Sequence, residues 1–272
     1  MPEGDSVWRA ARRLDRGLAG QVLTRSDFRV PQLATVNLAG RAVLGTDTHG
    51  KHLFTRFDDE KTLHTHFRMD GSWTVVGVGK RLPRRMQAHV RVALEAEPGH
   101  CAYGLLLPVV ELINTRDERQ VTDHLGPDPL RVDWDPAEAT ARLAADPGRP
   151  LAAALIDQRN LAGPGNLWVN EICFLRGASP WAPVGSVDLP PVVALAARAL
   201  RQSIRMRGNG QVTTGDRRAG EEHWVYGRTR LPCRRCGTRI RYRPEVPGDP
   251  ARRATWWCPS CQPGPDPEAS GG

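Results

Sequence analysis

The sequence predicts an α+β protein, an N-terminal helix plus β-sandwich followed by a helical domain and a cysteine-stapled β-hairpin. Three observations predict it. Apolar residues recur at helical spacing at the start of the chain, short alternating runs fill residues 20–107, and helical texture ending in paired Cys-x-x-Cys motifs takes over after residue 135. At 272 residues the chain accommodates one large or two modest domains. Its 40% hydrophobic and 25% charged residues exclude disorder and coiled coil. No run nears the ~20 apolar residues that cross a bilayer, and no signal peptide opens the chain, so a cytoplasmic protein with no membrane partner is expected.

Residues 5–18 read as an amphipathic helix with Val7, Ala10, Ala11, Leu14 and Leu18 on one face and Asp5 or Ser6 as N-cap. Leu53, Thr55 and Phe57 then alternate with Phe54 and Arg56. A four-residue loop, Asp58 to Lys61, turns the chain, and Leu63, Thr65 and Phe67 alternate with His64 and His66. Further strands over 73–78, 89–95 and 101–107 complete a sandwich. The charged, Pro/Gly-punctuated stretch 116–135 reads as a linker. Helices are expected over 136–146, opened by Asp135-Pro136-Ala137-Glu138, over 150–161, from Asn166, and over 189–206. Residues 207–223 read as a mobile loop and 263–272 as a disordered tail. The expected domains are therefore 1–115, 136–222 and 223–262.

The charge balance points to a partner. Lys and Arg total 38 against 30 Asp and Glu, a net charge of +8, and the pI is near 9.7. Such a surface gathers polyanions by counterion release. Only Lys51, Lys61 and Lys80 are lysines. Arginine stands almost everywhere that charge alone would do, so each lysine draws attention.

Cys233-x2-Cys236 and Cys258-x2-Cys261 are separated by 21 residues. Two such knuckles supply four thiolates that close a tetrahedron around Zn²⁺, a structural ion with no open coordination position. Arg234, Arg235, Arg239, Arg241, Arg243, Arg252 and Arg253 surround them, and arginines on a hairpin grip phosphates. Cys101 and Cys173 read as small buried hydrophobes.

The chain opens Met1-Pro2-Glu3-Gly4. Removal of Met1 leaves Pro2 as a secondary amine. An α-amino group has a pKa of roughly 7.7–8.0, so far more of it is neutral at pH 7 than of a lysine, and a helix N-terminus beside it disfavours the ammonium further. A neutral amine attacks an aldehyde-like carbon to form a Schiff base, with Glu3 placed to shuttle the proton. Alone, this start is ordinary.

The conjunction is not ordinary. Met-Pro-Glu-Gly, then His49-Gly50-Lys51-His52-Leu53 in a strand, then Asp157-Gln158 before Gly163-Pro164-Gly165-Asn166, then Arg253-Ala254-Thr255-x-x-Cys258-Pro259-x-Cys261-Gln262 occur in that order. Over residues 1–262 the chain resembles the formamidopyrimidine-DNA glycosylase/endonuclease VIII family. The resemblance implies a helix–two-turn–helix DNA-binding domain and a zinc finger behind the sandwich. It implies a monomeric bifunctional DNA glycosylase/AP lyase of base excision repair, acting on damaged DNA at the nucleoid. It makes Pro2 the nucleophile, Glu3 the acid/base, Lys51 a lysine at the lesion phosphates, and Arg253 the arginine that promotes δ-elimination. Asn166 is then a phosphate contact, Met69 the wedge that fills the space of a flipped base, and Arg68 a contact to the opposite strand. From the residues alone, Met69 packed in the core is an equal reading.

Asp5 and Ser6 depart from the family pattern, which places a carboxylate one position away. The spacing between the knuckles exceeds the usual one, implying a longer hairpin loop at 243–253. His124 stands where endonuclease VIII relatives carry a phosphate-binding arginine. The short stretch between Arg207 and Tyr226, with Gly210-Gln211-Val212, resembles the endonuclease VIII branch and favours oxidised pyrimidines as substrates. The rival reading is a damaged-DNA-binding module without turnover. Pure binding needs neither Pro2 nor Glu3, which argues against it.

Overall fold

Helix α1, Gly4–Leu18, forms because Val7, Ala10, Ala11, Leu14 and Leu18 fall on one face and are buried together. Its N-cap is Glu3 rather than Asp5 or Ser6. Asp5 lies inside the first turn, fully buried, where its carboxylate accepts from the Ser6 N–H at 2.9 Å and the Arg9 guanidinium at 3.1 Å. The computed structural model describes residues 2–97, 99–206, 208, 210–245 and 253–266, and the chain separates into two compact units after His124.

In the first unit, two four-stranded antiparallel sheets share one core with α1. One runs β1-β6-β7-β5, made of Leu23–Phe28, Val90–Ala96, His100–Leu105 and Ser72–Val76. The other runs β2-β3-β4-β8, made of Val43–His49, His52–Phe57, Lys61–His66 and Val109–Asn114. The alternation in β3 and β4 sorts as expected. Leu53, Phe57, Leu63 and Phe67 enter the core, while His52, His64 and His66 share the opposite face. The β3–β4 loop has three residues rather than four. Glu60 takes the left-handed conformation (φ 59°), and Lys61 already belongs to the strand, donating to Asn114 Oδ1 at 2.8 Å.

The stretch read as a linker carries a short helix, α2, Glu118–Thr122. Its Glu118 takes a two-pronged ion pair from Arg56, at 2.8 and 2.6 Å, and a hydrogen bond from Thr62 at 2.7 Å.

The second unit packs α3 (Pro136–Ala144), α4 (Leu151–Ile156), α5 (Asn166–Arg176) and α6 (Leu189–Arg205) around Leu143, Leu151, Leu155, Ile172, Val193 and Leu200. Asp135 caps α3 by accepting from the N–H groups of Ala137 and Glu138. The helix expected over 150–161 stops at Ile156. Gln158 imposes the stop: its Nε2 donates to the Ile156 and Pro164 carbonyls and its Oε1 accepts from Gly163 N–H, folding 157–165 into a turn. Strands β9 (Arg241–Arg243) and β10 (Thr255–Trp257) form the antiparallel hairpin.

The loop expected to be mobile over 207–223 is, in its described residues, stitched down. Thr213 and Thr214 N–H groups donate to the Glu222 carbonyl. The fully buried Glu171 of α5 accepts from Thr213 Oγ1 and from the backbone N–H groups of Trp224, Val225 and Tyr226, each at 2.9 Å. Met1, Arg207, the hairpin loop 246–252 with Arg252, and the tail beyond Asp266 lie outside the described residues.

Candidate nucleic-acid interface and metal centre

In the first unit, Pro2 and Glu3 stand at the N-terminal end of α1. Glu3 is fully buried, and its carbonyl opens the helix by accepting from Ser6 and Val7 N–H. The helix therefore positions the proline through the residue that follows it.

Lys51 is on a turn, not in a strand as the sequence suggested. His49 ends β2, His52 begins β3, and the two pair directly across Gly50-Lys51. Gly50 has φ 58°, the sign a type II′ hairpin turn requires at its first central position. The turn carries the lysine to the end of the second sheet.

At that sheet's β4 exit lies the loop His66-Phe67-Arg68-Met69-Asp70-Gly71. Phe67 is buried in the core and anchors it. Arg68 adopts a left-handed φ of 46°, and its N–H donates to His66 Nδ1 at 3.0 Å. Gly71 N–H closes the loop on the Phe67 carbonyl at 2.9 Å, and a Cβ at position 71 would meet that oxygen at 2.6 Å, so only glycine fits. Met69 at the tip is 59% exposed, which removes the reading of a core methionine.

Between turn and loop, the outer face of the sheet collects imidazoles. His52 Nδ1 lies 2.9 Å from His64 Nε2, and His64 Nδ1 lies 2.9 Å from Glu111 Oε2. The His66 ring meets His52 edge-on at 4.8 Å, and His124 does so at 6.4 Å. Burial, and then the neighbouring His66, His64, His124 and His49, push the His52 pKa down to about 3. Burial, with Lys51, His64 and Arg68 nearby, lowers His66 to about 4. Sequence reasoning placed His64 and His66 on one face but did not foresee this cluster. The signal was available as five of the chain's eight histidines, two of them on alternate positions of one strand.

In the second unit, Asn166 begins α5 and is buried. Its Nδ2 donates to the Ala254 carbonyl at 2.9 Å, directly beside Arg253. One turn on, Asn170 Oδ1 accepts from Trp256 N–H at 2.7 Å. The start of α5 and strand β10 are thus joined, which brings two of the sequence-derived site residues together.

Four sulfurs, of Cys233, Cys236, Cys258 and Cys261, lie within 4.8 Å of one another. The Cys233–Cys261 and Cys236–Cys258 separations are 3.9 and 3.4 Å. Tetrahedral Zn–S bonds of about 2.3 Å place sulfurs roughly 3.8 Å apart, so the donor set fits one such ion. Gln262 supports the second knuckle, accepting from Cys258 N–H and donating to the Ala178 carbonyl.

The arginines around the knuckles are not equivalent. Arg234 is bonded to Glu221 and the Gly220 and His223 carbonyls, Arg241 pairs with Asp266, and Arg235 lies over the Phe174 ring at 4.4 Å. These three are engaged by groups of the second unit itself, a division that sequence reasoning missed.

Fold and site together define a class: the chain belongs to the formamidopyrimidine-DNA glycosylase/endonuclease VIII family. The family model described as the formamidopyrimidine-DNA glycosylase N-terminal domain matches residues 1–104. Within the family the chain is of the endonuclease VIII type. It is 49% identical to the probable endonuclease 8 2 of Streptomyces coelicolor over 274 residues, covering 100% of this chain and 97% of that protein. It is 44% identical to the DNA-(apurinic or apyrimidinic site) lyase Nei2 of Mycolicibacterium smegmatis, covering 96% and 99%. Among solved structures, the Lactococcus lactis formamidopyrimidine-DNA glycosylase bound to abasic-site DNA shares the fold, with a TM-score of 0.75 and 23% identity over 97% of this chain and 100% of that one.

Proposed function

We propose that this protein is a bifunctional DNA glycosylase/AP lyase of base excision repair that removes oxidised bases, chiefly pyrimidines, through an N-terminal proline. The carrying observation is Pro2 at the head of α1 with the buried carboxylate of Glu3 beside it, in a chain matched nearly end to end by a relative named as an AP lyase. Relatives at 46–49% identity are named endonuclease 8, the branch for which the sequence resemblance implies oxidised pyrimidines.

In this reading Met1 is removed and the damaged nucleotide leaves the stack. Met69 fills the gap, and Arg68 meets the opposite strand. The Pro2 nitrogen bonds to C1′, the bond from C1′ to the base breaks, and Glu3 passes a proton to the ring oxygen as the sugar opens to the Schiff base. Loss of a C2′ proton then expels the 3′ phosphate, whose charge Lys51 stabilises. Arg253 does the same for the second phosphate in δ-elimination. Asn166 and His124 contribute to holding the backbone. The four cysteines hold Zn²⁺, which stabilises the hairpin that carries Arg253. The protein acts as a monomer on DNA in the nucleoid-bearing cytoplasm.

Borohydride trapping tests the reading. A covalent adduct with abasic-site DNA is expected from the processed protein and none from protein carrying an uncleaved N-terminal tag. Adduct formation with the tagged protein overturns the assignment of Pro2. Thymine glycol and 5,6-dihydrouracil duplexes are expected to be cut faster than 8-oxoguanine duplexes.

A further inference from the structure

Glu111, His64 and His52 form a single hydrogen-bonded line across strands β8, β4 and β3. Without an added proton, one arrangement satisfies both contacts. The Glu111 carboxylate accepts, so His64 Nδ1 carries a hydrogen and its Nε2 a lone pair; His52 Nδ1 must then donate, which leaves His52 Nε2 as a base. The ends of the line differ. The Glu111 side chain is 53% exposed, His64 is 4% exposed, and His52 is half-buried next to the Lys51 turn. Facing His52 are His66 and His64 from β4, His49 from β2 and His124 after α2, while Lys51 and Arg68 act on His66. On the same face, Asp47 is engaged by Arg56.

This chain uses arginine at nearly every basic position, yet here it gathers imidazoles. A permanent cation among Lys51 and Arg68 would add repulsion in the free protein. Burial and mutual proximity instead keep His52 and His66 uncharged. An arriving anion reverses that balance.

We infer that the Glu111–His64–His52 line is a proton-accepting phosphate site: a DNA phosphodiester settling beside Lys51 draws one solvent proton onto His52 Nε2. The imidazolium then lies between two anions, the phosphate at one end and Glu111, through His64, at the other. No covalent bond changes, and the proton returns to solvent when DNA leaves. The inference rests on the reading above that Lys51 meets the DNA backbone.

Titration calorimetry of the full-length protein with a duplex carrying a tetrahydrofuran abasic analogue, in buffers of different ionisation enthalpy, counts the protons. Uptake of about one proton is expected at the acidic side of neutrality, with affinity falling by up to roughly tenfold per pH unit as pH rises. Glu111→Gln and His64→Gln should each cut the uptake to less than half. Absence of uptake by the wild-type protein, or full uptake by both variants, overturns the inference. Borohydride trapping on the same preparations separates the two readings. Trapping without uptake removes the phosphate site and keeps the lyase; uptake without trapping keeps the site and removes the lyase.

Discussion

Two irregular segments of this protein are ordered in opposite ways. The loop after β4 is held by backbone geometry: the left-handed Arg68, the glycine that alone fits at position 71, and a Phe67 anchor, with Met69 exposed at the tip. The excursion from Gln211 to Tyr226 carries backbone bonds of its own and is pinned to α5 by one buried carboxylate, Glu171, which takes four donors. Order that comes from the backbone leaves the tip side chain replaceable. A tie to the helix that comes from a single side chain is lost with that side chain.

The contrast breaks most sharply at Glu171. Glu171→Ala leaves the N–H groups of Trp224, Val225 and Tyr226 without their acceptor and should destabilise the second unit by ~2–4 kcal/mol. Urea unfolding would measure the loss, and protease cleavage within 211–223 would locate it. Unchanged stability with an uncut loop would show that the excursion orders itself. Acid should act on the other segment. The folded-state pKa values of His52 and His66, about 3 and about 4, lie below the unfolded value near 6.5. Below that value the unfolded chain binds protons that the native state refuses, so stability falls as pH drops from 6.5 towards 4, by about 1 kcal/mol per pH unit for each imidazole. Once His66 Nδ1 is protonated it no longer accepts from Arg68 N–H, so the loop after β4 should loosen with it. Thermal melts across that range check the slope, and a flat profile from pH 6.5 to 4 would contradict it.

Gly71→Ala forces a Cβ against the Phe67 carbonyl and should cost ~1–3 kcal/mol through backbone displacement. Hydrogen exchange at residues 66–71 would resolve it. Met69→Ala is the smallest effect on folding, within about 0.5 kcal/mol because the side chain is largely exposed. On lesion excision it should be large if Met69 is the wedge. A variant with full excision would reduce Met69 to surface decoration.

How much of this was legible beforehand depended on range. The buried face of α1 and the sidedness of β3 and β4 follow from local period alone, so Val7, Leu14, Leu53 and His64 were placed correctly. The cysteine knuckles were legible because metal chemistry fixes their spacing. Lys51 was misplaced because a two-residue turn interrupts the alternation so little that a strand reads through it, although Gly50 stands at the position where the turn needs a positive φ. The stop of α4 at Ile156 was missed because Gln158 bonds a turn that apolar pattern does not encode. Glu171 was illegible for a different reason. Its partners lie 42 to 55 residues further along the chain, and no window along the sequence joins them. The histidine line falls between these cases, visible as composition and sidedness but not as contact.

The junction of Asn166 and Asn170 with Ala254 and Trp256 spans 88 and 86 residues of chain. A ribosome adds residues from the N-terminus at ~5–20 per second, so α5 is synthesised several seconds before the strand that completes its first turn. The first unit has every strand of its two sheets once Asn114 has emerged. The second must wait for its last hairpin, beside which four cysteines could hold a metal ion. During that wait the nascent α5 exposes the two asparagines and the face meant for β10. Metal starvation should therefore leave protein whose N-terminal half is native and whose newly made helix is open to proteases.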